Sequence, residues 1–104
     1  MLSMLALAAT GAVTQPIALI SEQHGHETRL LVVGESATPL KARFELEAIS
    51  GRGNRSRQSG TVELQPNRKV VLISLGFSDH ASAWMARLRV SYDDVSYEQT
   101  KRSE

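Results

Sequence analysis

Residues 83–92 read AWMARLRVSY, and this stretch separates into two alternating sets of side chains. A period of two over this length predicts a β-strand with one face in a core and one face in water. Two arginines fall on the predicted solvent face. The predicted core set comprises Trp84, Ala86, Leu88, Val90 and Tyr92, and the predicted solvent set comprises Met85, Arg87, Arg89 and Ser91.

Length and composition restrict the class of protein. The length of 104 residues indicates one domain. The formal net charge of +1 does not favour a nucleic-acid partner. It contains no cysteine, so neither disulfides nor thiol redox chemistry is available to it. Any functional charge must therefore be local, and we expect no cofactor.

The N-terminal segment differs from the rest in composition. No charged side chain precedes Glu22, and the alanine-rich run at 4–13 is shorter than the roughly 20 apolar residues that span a bilayer. We interpret residues 1–12 as a secretory signal and 13–104 as the folded domain. The first residues contain no lysine or arginine, so the alternative is a first strand that begins early.

The remainder of the sequence is a succession of short apolar or alternating stretches separated by turn residues. Such spacing, without a helical pattern, predicts an all-β, immunoglobulin-like seven-stranded β-sandwich. Pro16 favours an edge position for the first strand. The polar stretch 50–59 is predicted to be a mobile loop. The predicted strands are 13–21, 27–34, 40–49, 60–65, 69–77, 83–92 and 95–100.

Alternation also assigns the faces of the third predicted strand, with Lys41 and Arg43 outward. In an immunoglobulin-like sandwich the third, sixth and seventh strands share one sheet. Lys41 and Arg43 would then share a solvent face with Arg87 and Arg89. The sequence therefore predicts a basic patch on this face, although Glu45 and Glu47 would neutralise part of it.

Several segments together resemble a known family. They are the turn near Gly25, the strand LKARFEL, the Ser/Gly loop at 50–59, TVELQPN, the strand KVVLISL and the strand end LRVS. In order and spacing they are similar to the curli assembly family CsgC/CsgH. The resemblance implies a monomeric periplasmic domain of immunoglobulin-like fold. It also implies a function: keeping the amyloidogenic curli major subunit, its unfolded client, from aggregating before export.

The sequence departs from the enteric members of this family at one motif. The Cys-x-Cys pair of those members aligns with Leu40 and Ala42, so a redox function is excluded here. This favours the cysteine-free CsgH branch. The resemblance gives the predicted patch of Lys41, Arg43, Arg87 and Arg89 a role in binding the client. The charges of Arg52, Arg55 and Arg57 in the Gly/Ser loop make these residues further candidate contacts, and the alternative is a solvated hairpin loop.

Other sites are weaker interpretations. His24 and His26 flank a turn glycine and lack the third and fourth ligands of a metal site, so we expect no bound metal. Asp79 and His80 near a serine do not define a catalytic triad, and we expect no enzymatic activity, no nucleic-acid partner and no membrane partner. The alternative function is a structural, adhesin or pilus-chaperone-type module that binds partners by strand addition at an exposed edge.

Overall fold

The computed structural model describes residues 15–50, 53–78 and 83–103. Within these ranges the chain forms seven strands, arranged in two antiparallel sheets. The predicted signal at 1–12 and Arg52 lie outside the described residues. The strands are β1 (Ile17–His24), β2 (Glu27–Gly34), β3 (Leu40–Ser50), β4 (Arg55–Leu64), β5 (Val70–Ser78), β6 (Trp84–Tyr92) and β7 (Val95–Arg102).

The strand order is β1-β2-β5 in one sheet and β4-β3-β6-β7 in the other. The predicted all-β sandwich is confirmed for the described part of the chain, as is the adjacency of β3, β6 and β7. A constant-type immunoglobulin domain would place the fourth strand in the sheet of the first, second and fifth strands. Here β4 pairs with β3 instead, because a short hairpin connects them.

The predicted loop at 50–59 is wrong over its second half. Strand β4 begins at Arg55, and its register with β3 runs from Ile49 opposite Arg55 to Leu40 opposite Leu64. Its first half is polar on both faces because β4 is an edge strand with little core to cover. At Gly60 a Cβ would approach the Phe44 ring to 3.1 Å, so a larger residue would crowd that ring.

The core lies between the inner faces of the two sheets. The alternation predicted for β3 and β6 is confirmed, since Ala42, Leu46, Ala86 and Leu88 are all buried. Trp84, a member of the predicted core set, points to the same side but is not fully buried. Trp84 lies half-buried at the start of β6. Its ring makes an edge-to-face contact with the ring of Phe77, and the ring centroids are 5.8 Å apart.

Side chains of β7 close the outer edge of β1. The Tyr97 hydroxyl donates to the carbonyl oxygen of Ile17 at 2.6 Å and accepts from the Ile17 amide at 3.0 Å. The Leu19 amide donates to Oε1 of Gln99 at 2.8 Å. We call these contacts of Tyr97 and Gln99 the β1 clasp. It satisfies backbone groups that an edge strand otherwise leaves open to another chain.

Candidate functional site

The candidate site is the solvent side of the four-stranded sheet, which we call the four-stranded face. It is formed by the outward side chains of β4, β3, β6 and β7. The registers place Glu47 between Arg57 and Arg87, and Glu45 opposite Arg89. The four predicted patch residues do share this face, but carboxylates are interleaved with them.

Glu47 is the most strongly paired carboxylate of the face. Its Oε2 accepts a hydrogen bond from Nη2 of Arg57 at 3.2 Å and lies 3.6 Å from Nε of Arg55. The hydrogen bond from Arg57, with the positive charges of Arg57, Arg55 and Arg87, lowers the pKa of Glu47 against a smaller opposing effect of desolvation. Glu47 therefore stays ionised and neutralises part of the arginine charge around it.

Arg89 is also paired. Its Nε donates to Oε2 of Glu98 on β7 at 3.0 Å. The sequence prediction weighed Glu45 and Glu47 against the patch but did not include Glu98. Alternation along β7 was the available signal, because it places Ser96, Glu98 and Thr100 on the outward side.

Three of the predicted patch residues keep unpaired charges. In the described ranges Lys41, Arg43 and Arg87 make no ion pair within 4.0 Å, although Lys41 lies opposite Glu63 in the register. The outward positions of the described strands hold seven cations and four carboxylates, a net charge of three positive on this face. The chain as a whole carries only +1. The face is thus locally basic.

A shallow groove of about 380 Å³ crosses this face. Ser91 and Ser96 lie opposite each other and form a low floor, because neither side chain is long. The Arg89–Glu98 pair lines one side, and Arg43 lies opposite Ser91. A polypeptide segment could cross here and bring a carboxylate to the unpaired guanidinium of Arg43.

Two of the three predicted loop contacts lie on a strand. Arg55 and Arg57 lie on β4, on the four-stranded face, where both approach Glu47; Arg52 lies outside the described residues. His24 contacts Glu22 at 3.1 Å, and the described ranges contain no group of three or more side chains placed to hold a metal. No helix long and apolar enough to cross a membrane occurs in the described part of the chain.

Solved structures show the same fold. The E. coli curli protein CsgC superposes with a TM-score of 0.68 at 15% sequence identity, over 84% of this chain and 97% of CsgC. The chain has the fold of CsgC. R. palustris CsgH matches with a TM-score of 0.59 at 17% identity, over 81% of this chain and 87% of CsgH.

Comparisons of sequence, by contrast, find no related protein. No family model matches this chain, and no curated protein is significantly similar to it. A β-glucuronidase of Parabacteroides merdae also matches, with a TM-score of 0.51 at 17% identity, but the match covers only 13% of that enzyme. CsgC and CsgH match over nearly their whole lengths, so they are the more informative neighbours for this chain.

Proposed function

We propose that this chain is a curli-related periplasmic protein that delays amyloid nucleation by a secreted curli major subunit. The observation that supports this most is the fold shared with CsgC and CsgH over most of each chain. We propose a binding protein rather than an enzyme, acting as a monomer without a cofactor, nucleic acid or membrane partner.

The four-stranded face supplies a physical route. Amyloid growth requires extended client strands to stack side by side. The unpaired charges of Lys41, Arg43 and Arg87 attract acidic groups of an unfolded client, and the groove beside Arg43 receives its backbone. Weak, repeated contacts of this kind lower the concentration of free client segments, so a nucleus forms more slowly.

The β1 clasp bears on the alternative of a module that binds by strand addition. Tyr97 occupies both outer backbone groups of Ile17 and Gln99 occupies the amide of Leu19, so a partner strand cannot pair there without displacing them. Strand addition is therefore restricted to other edges, and the four-stranded face is the better candidate for electrostatic contact.

Charge reversal tests the proposal. The variant carrying Arg43→Glu and Arg87→Glu removes no core contact, so stability should change by about 0.5 kcal/mol per site. It should lose most of the wild-type delay in fibrillation of a purified curli major subunit, followed by thioflavin fluorescence. The wild-type delay should also shrink in 1 M salt, where the Debye length is about 3 Å.

The matched control reverses the same number of charges elsewhere. Arg68→Glu with Lys69→Glu changes the net charge equally, but both exposed residues lie in the segment between β4 and β5, away from the four-stranded face. This control should keep the wild-type delay. Equal activity of both folded double variants, with no effect of salt, would show that the four-stranded face does not bind the client.

A further inference from the structure

Among the described strands, β5 forms the edge with the least protection against pairing. Strands β4 and β7 carry charged residues along their lengths, a feature that discourages pairing with other chains. The clasp covers the first half of β1, and the second half carries Glu22 and His24. Strand β5 reads VVLISLGFS, without a charged residue or a proline. Two of the exposed large hydrophobic side chains of the described residues, Val70 and Val71, also belong to it.

The hydrogen-bond pattern shows which backbone groups of β5 are open. The Glu35 amide donates to the carbonyl of Pro16, so even-numbered residues of β1 bond towards β2. Residues of an antiparallel strand alternate between its two neighbours. Strand β2 therefore bonds to β5 through Ile73, Leu75 and Phe77, and the backbone groups of Ser74 and Gly76 face away from the sheet.

A groove follows this edge between the two sheets. It has a volume of about 180 Å³ and is lined by Leu75 and Phe77 of β5 and by Ala48 and Ile49 of β3, with Arg55 also in its lining. Arg55 is the one charged residue that lines it in the described ranges. The lining matches an apolar side chain with a carboxylate near it.

We propose that the β5 edge, at Ser74 and Gly76, binds an extended client segment as an added antiparallel strand. Side chains on the inner side of that segment enter the groove beside Leu75 and Phe77, and a neighbouring carboxylate shares Arg55 with Glu47. Main-chain hydrogen bonds hold such a strand, and the groove selects its side chains. The identity of the client as an amyloid-forming subunit rests on the proposed function. Strand addition at the β5 edge does not depend on that function.

Proline substitution separates this edge from the rest of the molecule. Ser74→Pro removes an outward amide and no hydrogen bond to β2, a place where sheets tolerate proline. Ser59→Pro is the matched control on β4. The Ser50 amide donates to the Asn54 carbonyl, so even-numbered residues of β4 bond to β3 and the Ser59 amide also faces outward.

The first probe is a soluble synthetic peptide of alternating valine and threonine with one glutamate. We expect it to bind the wild type and Ser59→Pro equally and Ser74→Pro at least about tenfold more weakly, as expected for a lost hydrogen bond and a steric clash. Equal binding by a folded Ser74→Pro variant would overturn the proposal. Hydrogen exchange on the wild type gives a test that does not depend on the variant folding. The peptide should slow exchange at Ser74 and Gly76, and slowing at Ser59 instead would overturn the proposal.

The second probe is the purified curli major subunit, and it separates the two proposals. Delay of its fibrillation by the wild type and Ser59→Pro, but not by Ser74→Pro, would support both. Delay that survives Ser74→Pro would overturn the edge as the client site and leave the proposed function standing. Peptide binding at the β5 edge without any delay by the wild type would refute the proposed function and leave the edge standing.

Discussion

The hydroxyl of Tyr97 bonds to both backbone polar groups of Ile17, donating to its carbonyl oxygen at 2.6 Å and accepting from its amide at 3.0 Å. These residues are 80 positions apart in the sequence and belong to different sheets. One side chain therefore ties the outer edges of the two sheets together on that side of the sandwich.

Removing this hydroxyl should weaken the fold. Tyr97→Phe leaves two half-buried backbone groups without their partner, so the free energy of unfolding should fall by about 1–2 kcal/mol. Urea unfolding followed by circular dichroism measures the change. Tyr92→Phe is the control, because the Tyr92 hydroxyl makes no hydrogen bond to another described residue. This substitution should have little effect on the free energy of unfolding. An equal loss in both variants would show that the clasp does not stabilise the fold.

The network around Glu47 should be visible in its titration. The Arg57 hydrogen bond is the largest cause of its lowered pKa, so Arg57→Gln should move that pKa back towards the usual glutamate value of about 4.3. Carbon-detected NMR titration of the side-chain carboxyl measures it.

A lowered pKa in the folded state also fixes the sign of the pH dependence. Stability from this contact is present above the unfolded-state pKa of Glu47 and disappears as the pH falls through its folded-state pKa. The wild type and Arg57→Gln should therefore differ in stability at neutral pH and converge in acid. A difference that persists at the lowest pH would have to come from packing of the Arg57 side chain.

Trp84→Ala should cost less than the removal of a fully buried aromatic. Fully buried examples lose about 3–5 kcal/mol, and Trp84 is only half-buried, so we expect about 2–3 kcal/mol. Chemical denaturation measures it, with Val95→Ala at an exposed position as a nearly neutral control. A loss below about 1 kcal/mol would mean that the contact with Phe77 contributes little.

Processing of the N-terminus tests the proposed export. If residues 1–12 form a signal, protein recovered from the periplasm should begin between Ala9 and Gln15, because small residues suit cleavage there. Intact-mass measurement determines the first residue. Recovery of the full-length chain from the cytoplasm alone would contradict both export and the proposed function.

The sequence was most informative where a strand is buried on one face only. In β3 and β6 apolar residues alternate with polar ones except at Ile49 and Met85, so period two assigned both faces correctly. It was least informative in β4. There the pairing of Arg55 and Arg57 with Glu47 replaces apolar burial, and the polar stretch is typical of a loop.

The candidate site was only partly predictable for a related reason. Alternation placed Arg87 and Arg89 on the solvent side, but the pairing of Arg89 with Glu98 depends on the register between β6 and β7. No local sequence pattern indicates the β1 clasp, because Tyr97 and Gln99 contact residues of β1 that lie 80 positions earlier in the sequence. Local patterns do not contain such long-range contacts.

The β1 clasp has a consequence for the order in which the fold forms. Of the seven described strands β1 is made first and β7 last, so Tyr97 can reach Ile17 only after the five strands between them have been synthesised. Contacts between such distant residues close large loops, and they slow folding of a β-protein. The edge of β1 that Tyr97 and Gln99 cover therefore stays open to other chains until β7 has been synthesised.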